Sequence, residues 1–156
     1  MARRMCGALA LVCILLISGC IGQNPSGAMT NIDINNASGN ISDVQKIEVL
    51  HFHGTHQCYS CITVGDYAEE TVNTYFSEEL KSGKIVFAHI NGELPENNDM
   101  VTKYGATGSS LWIGVYDKNG FHKEENTRVW YKISDKGEYM NYLAGIIEKR
   151  LNGDMK

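Results

Sequence analysis

The stretch Ile47-Glu48-Val49-Leu50-His51-Phe52-His53-Gly54-Thr55-His56-Gln57-Cys58-Tyr59-Ser60-Cys61 decides how the rest of the chain is read. Seven β-prone residues close at Gly54. A helical pattern then opens at Cys58 and runs to about Lys81, with Ala68, Val72, Tyr75, Phe76 and Leu80 on one face. A Cys-x-x-Cys pair therefore falls between a strand and a helix. A thiolate at a helix N-terminus is stabilised by unpaired backbone N–H groups and the positive end of the helix dipole. Cysteines so placed have pKa values lowered from about 8.5 to roughly 3.5–7.5. Cys58 is expected to be the exposed nucleophile, and Cys61, one turn deeper, the thiol that resolves a mixed disulfide. A permanent bridge over so short a loop would remove little unfolded-state entropy, so the pair reads as chemical rather than architectural.

Working outward, Ser82-Gly83 stops the helix and Lys84 to Ile90 forms a second strand. A polar loop around Pro95 and a helical piece near Asp99 to Tyr104 follow. Leu111 to Tyr116 is a third strand, Asp117-Lys118-Asn119-Gly120 a hairpin turn, and a fourth strand lies between Phe121 and Tyr131. Asp135 with Glu138 forms a capping box before a last helix, whose Tyr139, Tyr142, Leu143, Ile146, Ile147 and Leu151 recur at three and four. The order β-α-β, then β-β-α, predicts an α/β domain with a central mixed four-stranded sheet flanked by helices.

Upstream, residues 1–19 read as a lipoprotein signal peptide: Arg3 and Arg4 form a basic start, and Leu9 to Ile17 an apolar run shorter than the roughly 20 residues a span needs. The run ends in Ile17-Ser18-Gly19-Cys20, which resembles a lipobox and makes Cys20 the expected lipidation site. An uncleaved anchor helix is the alternative, and either reading puts the domain on the extracytoplasmic face. The Arg pair hints at twin-arginine export, although the following residues fit a Sec signal better. Residues 20–43, rich in Asn, Gly and Ser, read as a flexible tether, with sequons at Asn36 and Asn40. Residues 44–156 are then the folded domain. Without residues 1–19 the chain holds 12 basic against 18 acidic residues, so no nucleic-acid partner is expected. Of five cysteines, Cys6 and Cys13 leave with the signal and Cys20 takes the lipid.

This order of elements, with Cys-x-x-Cys after the first strand and Tyr104-Gly105-Ala106-Thr107-Gly108 before the third, resembles thioredoxin over about Val44 to Asn152. Within that superfamily, Phe52-His53-Gly54, Glu79-Leu80-Lys81-Ser82-Gly83-Lys84-Ile85-Val86-Phe87 and Ser109-Ser110-Leu111 are similar to a small prokaryotic family labelled the thioredoxin-like subunit of a nitrophenyl compound nitroreductase. The resemblance implies a thioredoxin-like fold and dithiol chemistry at Cys58 and Cys61, with His51 near the place where thioredoxin buries an acid beneath its active site. Two departures stand out. Gln57-Cys58-Tyr59-Ser60-Cys61 replaces Trp-Cys-Gly-Pro-Cys, so the redox potential does not carry over, and Ser110 stands where a cis-proline is expected. Nothing resembles a phosphate-binding glycine loop or a flavin fingerprint, so no cofactor is expected and the chain does not read as a self-sufficient nitroreductase.

The reading is a membrane-anchored thiol–disulfide oxidoreductase or electron-transfer protein, working on a protein thiol or disulfide partner. His56, two residues before Cys58, is the nearest histidine to stabilise the thiolate or shuttle a proton. The alternative is a zinc or copper(I) site built from His51, His53 and His56 with Cys58 and Cys61. A redox-inert interaction module comes third. His89 and His122 give no chemical signal. Replacing Cys20 with Ala is expected to block lipidation and signal processing, as read by mass spectrometry of the membrane fraction. An unmodified Cys20 in a mature chain cut elsewhere would refute the lipoprotein reading.

Overall fold

β1 (Lys46–His53) pairs in parallel with β2 (Ile85–Asn91) on one side and antiparallel with β3 (Ser110–Asp117) on the other, and β4 (Gly120–Glu125) lies antiparallel beside β3. In this computed structural model the described residues are 43–156, so the leader, Cys20 and the sequons lie outside them. The sheet order is β2-β1-β3-β4. Parallel neighbours need a crossover, which α1 (Tyr59–Tyr75) and α2 (Ser77–Ser82) supply. α3 (Asn98–Tyr104) leads to β3 and α4 (Lys136–Leu151) ends the domain. This is the α/β arrangement that the sequence predicts, a central mixed four-stranded sheet flanked by helices. Among the described residues no helix is long and apolar enough to cross a membrane.

Every residue from Ile47 to Phe52 is buried, because helices cover both faces of β1. On one face Ile47 and Val49 pack with Val64, Ala68 and Val72 of α1 and Tyr139, Leu143 and Ile147 of α4. On the other, Leu50 and Phe52 meet Tyr104 of α3. The Tyr139 hydroxyl donates to the Val64 carbonyl at 2.7 Å, tying α4 to α1.

Two features differ from the sequence pattern, the helix end and the capping box, and the structure fixes the extent of the fourth strand. The single helix expected to Lys81 breaks at Phe76, which leaves helical dihedrals (φ −131°, ψ 33°). The break follows Asn73 and Thr74, both weak helix formers, and turns Phe76 into the core while Tyr75 stays exposed. The fourth strand ends at Glu125, and a 3-10 turn over Thr127–Tyr131 follows. The capping box is half formed: Asp135 accepts from the Glu138 N–H at 2.9 Å, but the Glu138 carboxylate turns to Lys132 Nζ at 2.5 Å.

β1 also carries Glu48, 7% exposed, on the α3 face. Its carboxylate takes Tyr104 Oη at 2.7 Å, Tyr116 Oη at 2.9 Å, Lys103 Nζ at 3.0 Å and Lys46 Nζ at 2.7 Å. Tyr104 reaches it beneath β3 at Gly114, where a Cβ would stand 2.0 Å from the tyrosine hydroxyl. Burial opposes ionisation, but bonds from Lys46, Tyr104, Lys103 and Tyr116 outweigh it and hold the Glu48 carboxyl at about 2. A carboxyl depressed in the fold stabilises it fully above the unfolded value, 4.5, and loses that contribution as pH falls toward 2. The contribution is roughly 3 kcal/mol. Glu48→Gln is therefore expected to lower stability at neutral pH by about 3 kcal/mol and to flatten the acid limb between those two values. Urea unfolding at a series of pH values checks both.

Candidate redox site

The loop Gly54 to Gln57 carries the chain from the end of β1 to the start of α1, and Cys58 is the helix N-cap (φ −73°, ψ 162°). Its Sγ accepts the Cys61 N–H at 3.1 Å, so the sulfur occupies the place of a capping oxygen among the unpaired donors of the first turn. That turn holds no acidic residue to compete for the dipole. Cys58 is exposed and Cys61 half-buried, and the two are joined in a disulfide with Cα atoms 5.1 Å apart. Tyr59, 83% exposed, and Ile62 form an apolar rim beside them.

Ser110 opens β3 opposite Phe52, at the same end of the sheet as the cysteines. Its hydroxyl donates to the Gly108 carbonyl at 3.0 Å and accepts Trp112 Nε1–H at 3.0 Å. Here a hydroxyl rather than a proline ring fixes the loop. A cavity of about 190 Å³ lies at this end, lined by Phe52, Gly54, Glu93, Val101, Thr107 and Gly108.

The histidines separate. His56 is exposed in the loop, and its charge acts on Glu93, whose carboxyl is lowered first by its bonds to Thr55. His51, 1% exposed, faces α1: a Cβ on Gly65 would lie 2.3 Å from its Nδ1. Burial, then the charges of His89 and His53, push the His51 ring down to about 4 against the pull of the Cys61 carbonyl. His51 is thus neutral at neutral pH. His53 stacks on it with ring centres 5.4 Å apart and bonds the Gly54 carbonyl through Nδ1 at 2.9 Å.

Among the described residues, with Cys58 and Cys61 joined in the disulfide, no three His, Cys, Asp or Glu side chains are grouped to hold a metal ion. The sequence reading passed over His89, which the parallel register sets opposite His51 with their Nδ1 atoms 3.0 Å apart. The signal lay in aligning β2 on β1 rather than in either strand alone.

Since Gly65 lets the His51 ring lie against α1, Gly65→Ala is expected to cost about 1–3 kcal/mol by overpacking. It should also displace the ring, visible as a shift in the His51 imidazole NMR signals. Wild-type stability with unmoved signals would contradict this close packing.

No protein-family model matches the chain, and no curated protein matches it. Among solved structures, the crystal structure of the Trx4 domain of ERdj5 is similar at 15% identity, with a TM-score of 0.43, over 67% of this chain and 82% of that one. The mixed four-stranded sheet and its flanking helices set the Cys58–Cys61 disulfide at the start of α1.

Proposed function

We propose that this chain is a thiol–disulfide oxidoreductase or electron-transfer protein, held by a lipid on Cys20 at the extracytoplasmic face of a membrane and working on a protein partner. The observation that carries the chemistry is the Cys58 sulfur as N-cap of α1, exposed and bonded to the Cys61 N–H. In the dithiol state the same donors stabilise a Cys58 thiolate, which attacks a partner disulfide and displaces one partner sulfur. Cys61 then attacks the Cys58 sulfur of the mixed disulfide, and the second partner thiolate leaves. The exposed Tyr59 and Ile62 offer the partner apolar contact beside the reacting sulfur. His56 stands two residues before the nucleophile, where an imidazolium would favour the thiolate. The lipid reading rests on the basic start at Arg3 and Arg4, the short apolar run Leu9 to Ile17 and its Ile17-Ser18-Gly19-Cys20 ending. The similarity to a nitroreductase-associated thiol subunit adds a reading in which the partner is itself a redox enzyme that receives the electrons.

Replacing Cys61 with Ser is expected to trap mixed disulfides on non-reducing gels, because the resolving thiol is gone, whereas Cys58→Ser gives none. Cys58 should also alkylate at a pH well below that required by a free thiol with pKa about 8.5. Finding Cys61 the faster thiol, or partner capture unchanged in both variants, would overturn the assigned roles.

A further inference from the structure

The sheet has two edge strands, and they are built differently. β4 carries Lys123, Glu124 and Glu125 in succession, and Arg150 of α4 clamps Glu124 through Nε at 2.5 Å and Nη2 at 2.8 Å. Charge of this kind keeps another chain from adding to a strand edge. β2, at the opposite edge, reads Ile85-Val86-Phe87-Ala88-His89-Ile90-Asn91 and holds no lysine, arginine or carboxylate. It has no proline either, and its register with β1 runs from Ile47 opposite Ile85 to His53 opposite Asn91 without a bulge. The usual guards of an edge are therefore missing from this strand.

Two hydrogen bonds fix which of its backbone groups face outward. The Ile47 N–H donates to the Lys84 carbonyl and the Gly92 N–H to the His53 carbonyl, each at 2.8 Å. Even-numbered residues of β2 therefore bond to β1, and Ile85, Phe87, His89 and Asn91 turn their N–H and C=O groups to the open edge. At Asn91 the chain's own loop closes the edge, since its carbonyl accepts the Leu94 N–H at 3.2 Å and Asn97 Nδ2 at 2.8 Å. Among the described residues nothing bonds the outward groups of Ile85, Phe87 and His89. The side chains along the run are apolar on both faces. Ile85 and Phe87 pack on the α1 side, while Ala88 and Ile90 lie on the α3 side with Val86, which is 37% exposed.

We propose that this edge pairs with the same edge of a second copy of the chain, antiparallel and about a two-fold axis at Phe87. A two-fold interface must be complementary to itself, and this run is. Phe87 is the middle one of the three residues with unengaged outward groups. A ladder centred on it sets Phe87 opposite Phe87 and Ile85 opposite His89 across the axis, as hydrogen-bonded pairs in which each outward donor meets an acceptor. Val86 falls opposite Ala88 in a non-hydrogen-bonded pair, where Cα atoms approach to about 4.5 Å and a small residue suits a branched one. No like charges face each other, because the run holds no fixed charge. The two sheets join into one, and the antiparallel pairing leaves the two dithiols at opposite ends of it, both open to a partner. The ladder from Ile85 to His89 is five residues long, roughly 17 Å. So short a seam buries less than the roughly 1,200–2,000 Å² of a stable interface. The dimer is accordingly a reversible one, exchanging with monomer at micromolar concentrations.

Sedimentation equilibrium of the full chain in density-matched detergent, with amide hydrogen exchange read by NMR, tests the pairing. The dithiol is kept oxidised, so the outcome does not depend on the function proposed above. The sedimenting mass is expected to rise from monomer to dimer with concentration. Over the same range the Ile85, Phe87 and His89 amides should gain protection, whereas those of Val86, Ala88 and Ile90, already bonded to β1, are protected throughout. Val86→Lys changes an exposed side chain, so the fold is retained, and it sets a charge into the ladder twice per dimer. It is expected to raise the dissociation constant by roughly tenfold or more. Glu125→Gln, the same change of charge at an exposed position on the guarded edge, should leave that constant unmoved. A chain that stays monomeric at every concentration, or a dimer that Val86→Lys leaves intact, overturns the proposal. So does a dimer whose Phe87 and His89 amides exchange freely. Protection of those amides in a monomer overturns it as well, because another segment of the same chain would then hold the edge.

Discussion

A strand covered on both faces can bury an ionisable side chain only where partners reach it, and β1 buries two of them. Glu48 and His51 are three residues apart and so point to opposite faces of the sheet. Their environments resolve the same desolvation cost in opposite ways. Four donors surround Glu48 and keep it charged, whereas His51 meets another imidazole and the flank of α1 and stays neutral. The charged network braces the α3 face of the sheet. The neutral ring lies under the first turns of the helix that carries the cysteines, where a fixed charge would act directly on the dithiol.

Both arrangements depend on a backbone without a side chain. Gly65 admits the His51 ring against α1, and Gly114 admits the Tyr104 hydroxyl beneath β3. A glycine inside a helix costs about 1 kcal/mol in propensity, and at Gly65 the return is a sheet-to-helix approach that any Cβ would prevent. The position of His51 is thus set by Gly65, fourteen residues on, as much as by its own strand.

Much of this fold was legible because local signals agreed. The β-prone run ending at Gly54, the hairpin turn Asp117-Lys118-Asn119-Gly120 and the Asp135 cap each stand where the pattern put them. The break at Phe76 was hidden because Val72, Phe76 and Leu80 keep a helical spacing through it. At the site, Cys58 and Cys61 could be read from sequence because helix, cap and motif coincide. His89 and Glu69 could not. Their contacts arise from the parallel register of β2 on β1 and from an approach between sheet and helix, and neither leaves a mark within a single segment.

The electrostatics around Cys58 follow from what is kept away from it. The folded part of the chain carries more acids than bases, yet the first turn of α1 has none. Glu69 is set back two turns and turned toward His89, while Glu93 is held by the backbone and side chain of Thr55. The donors at the helix start therefore have no carboxylate to satisfy and are available to sulfur. A neutral His51 completes the arrangement, since a permanent positive charge beneath the helix would favour both thiolates alike and blur the distinction between nucleophile and resolving thiol. The asymmetry between two cysteines only three residues apart is in this way a property of the strand below them as well as of the helix that they begin.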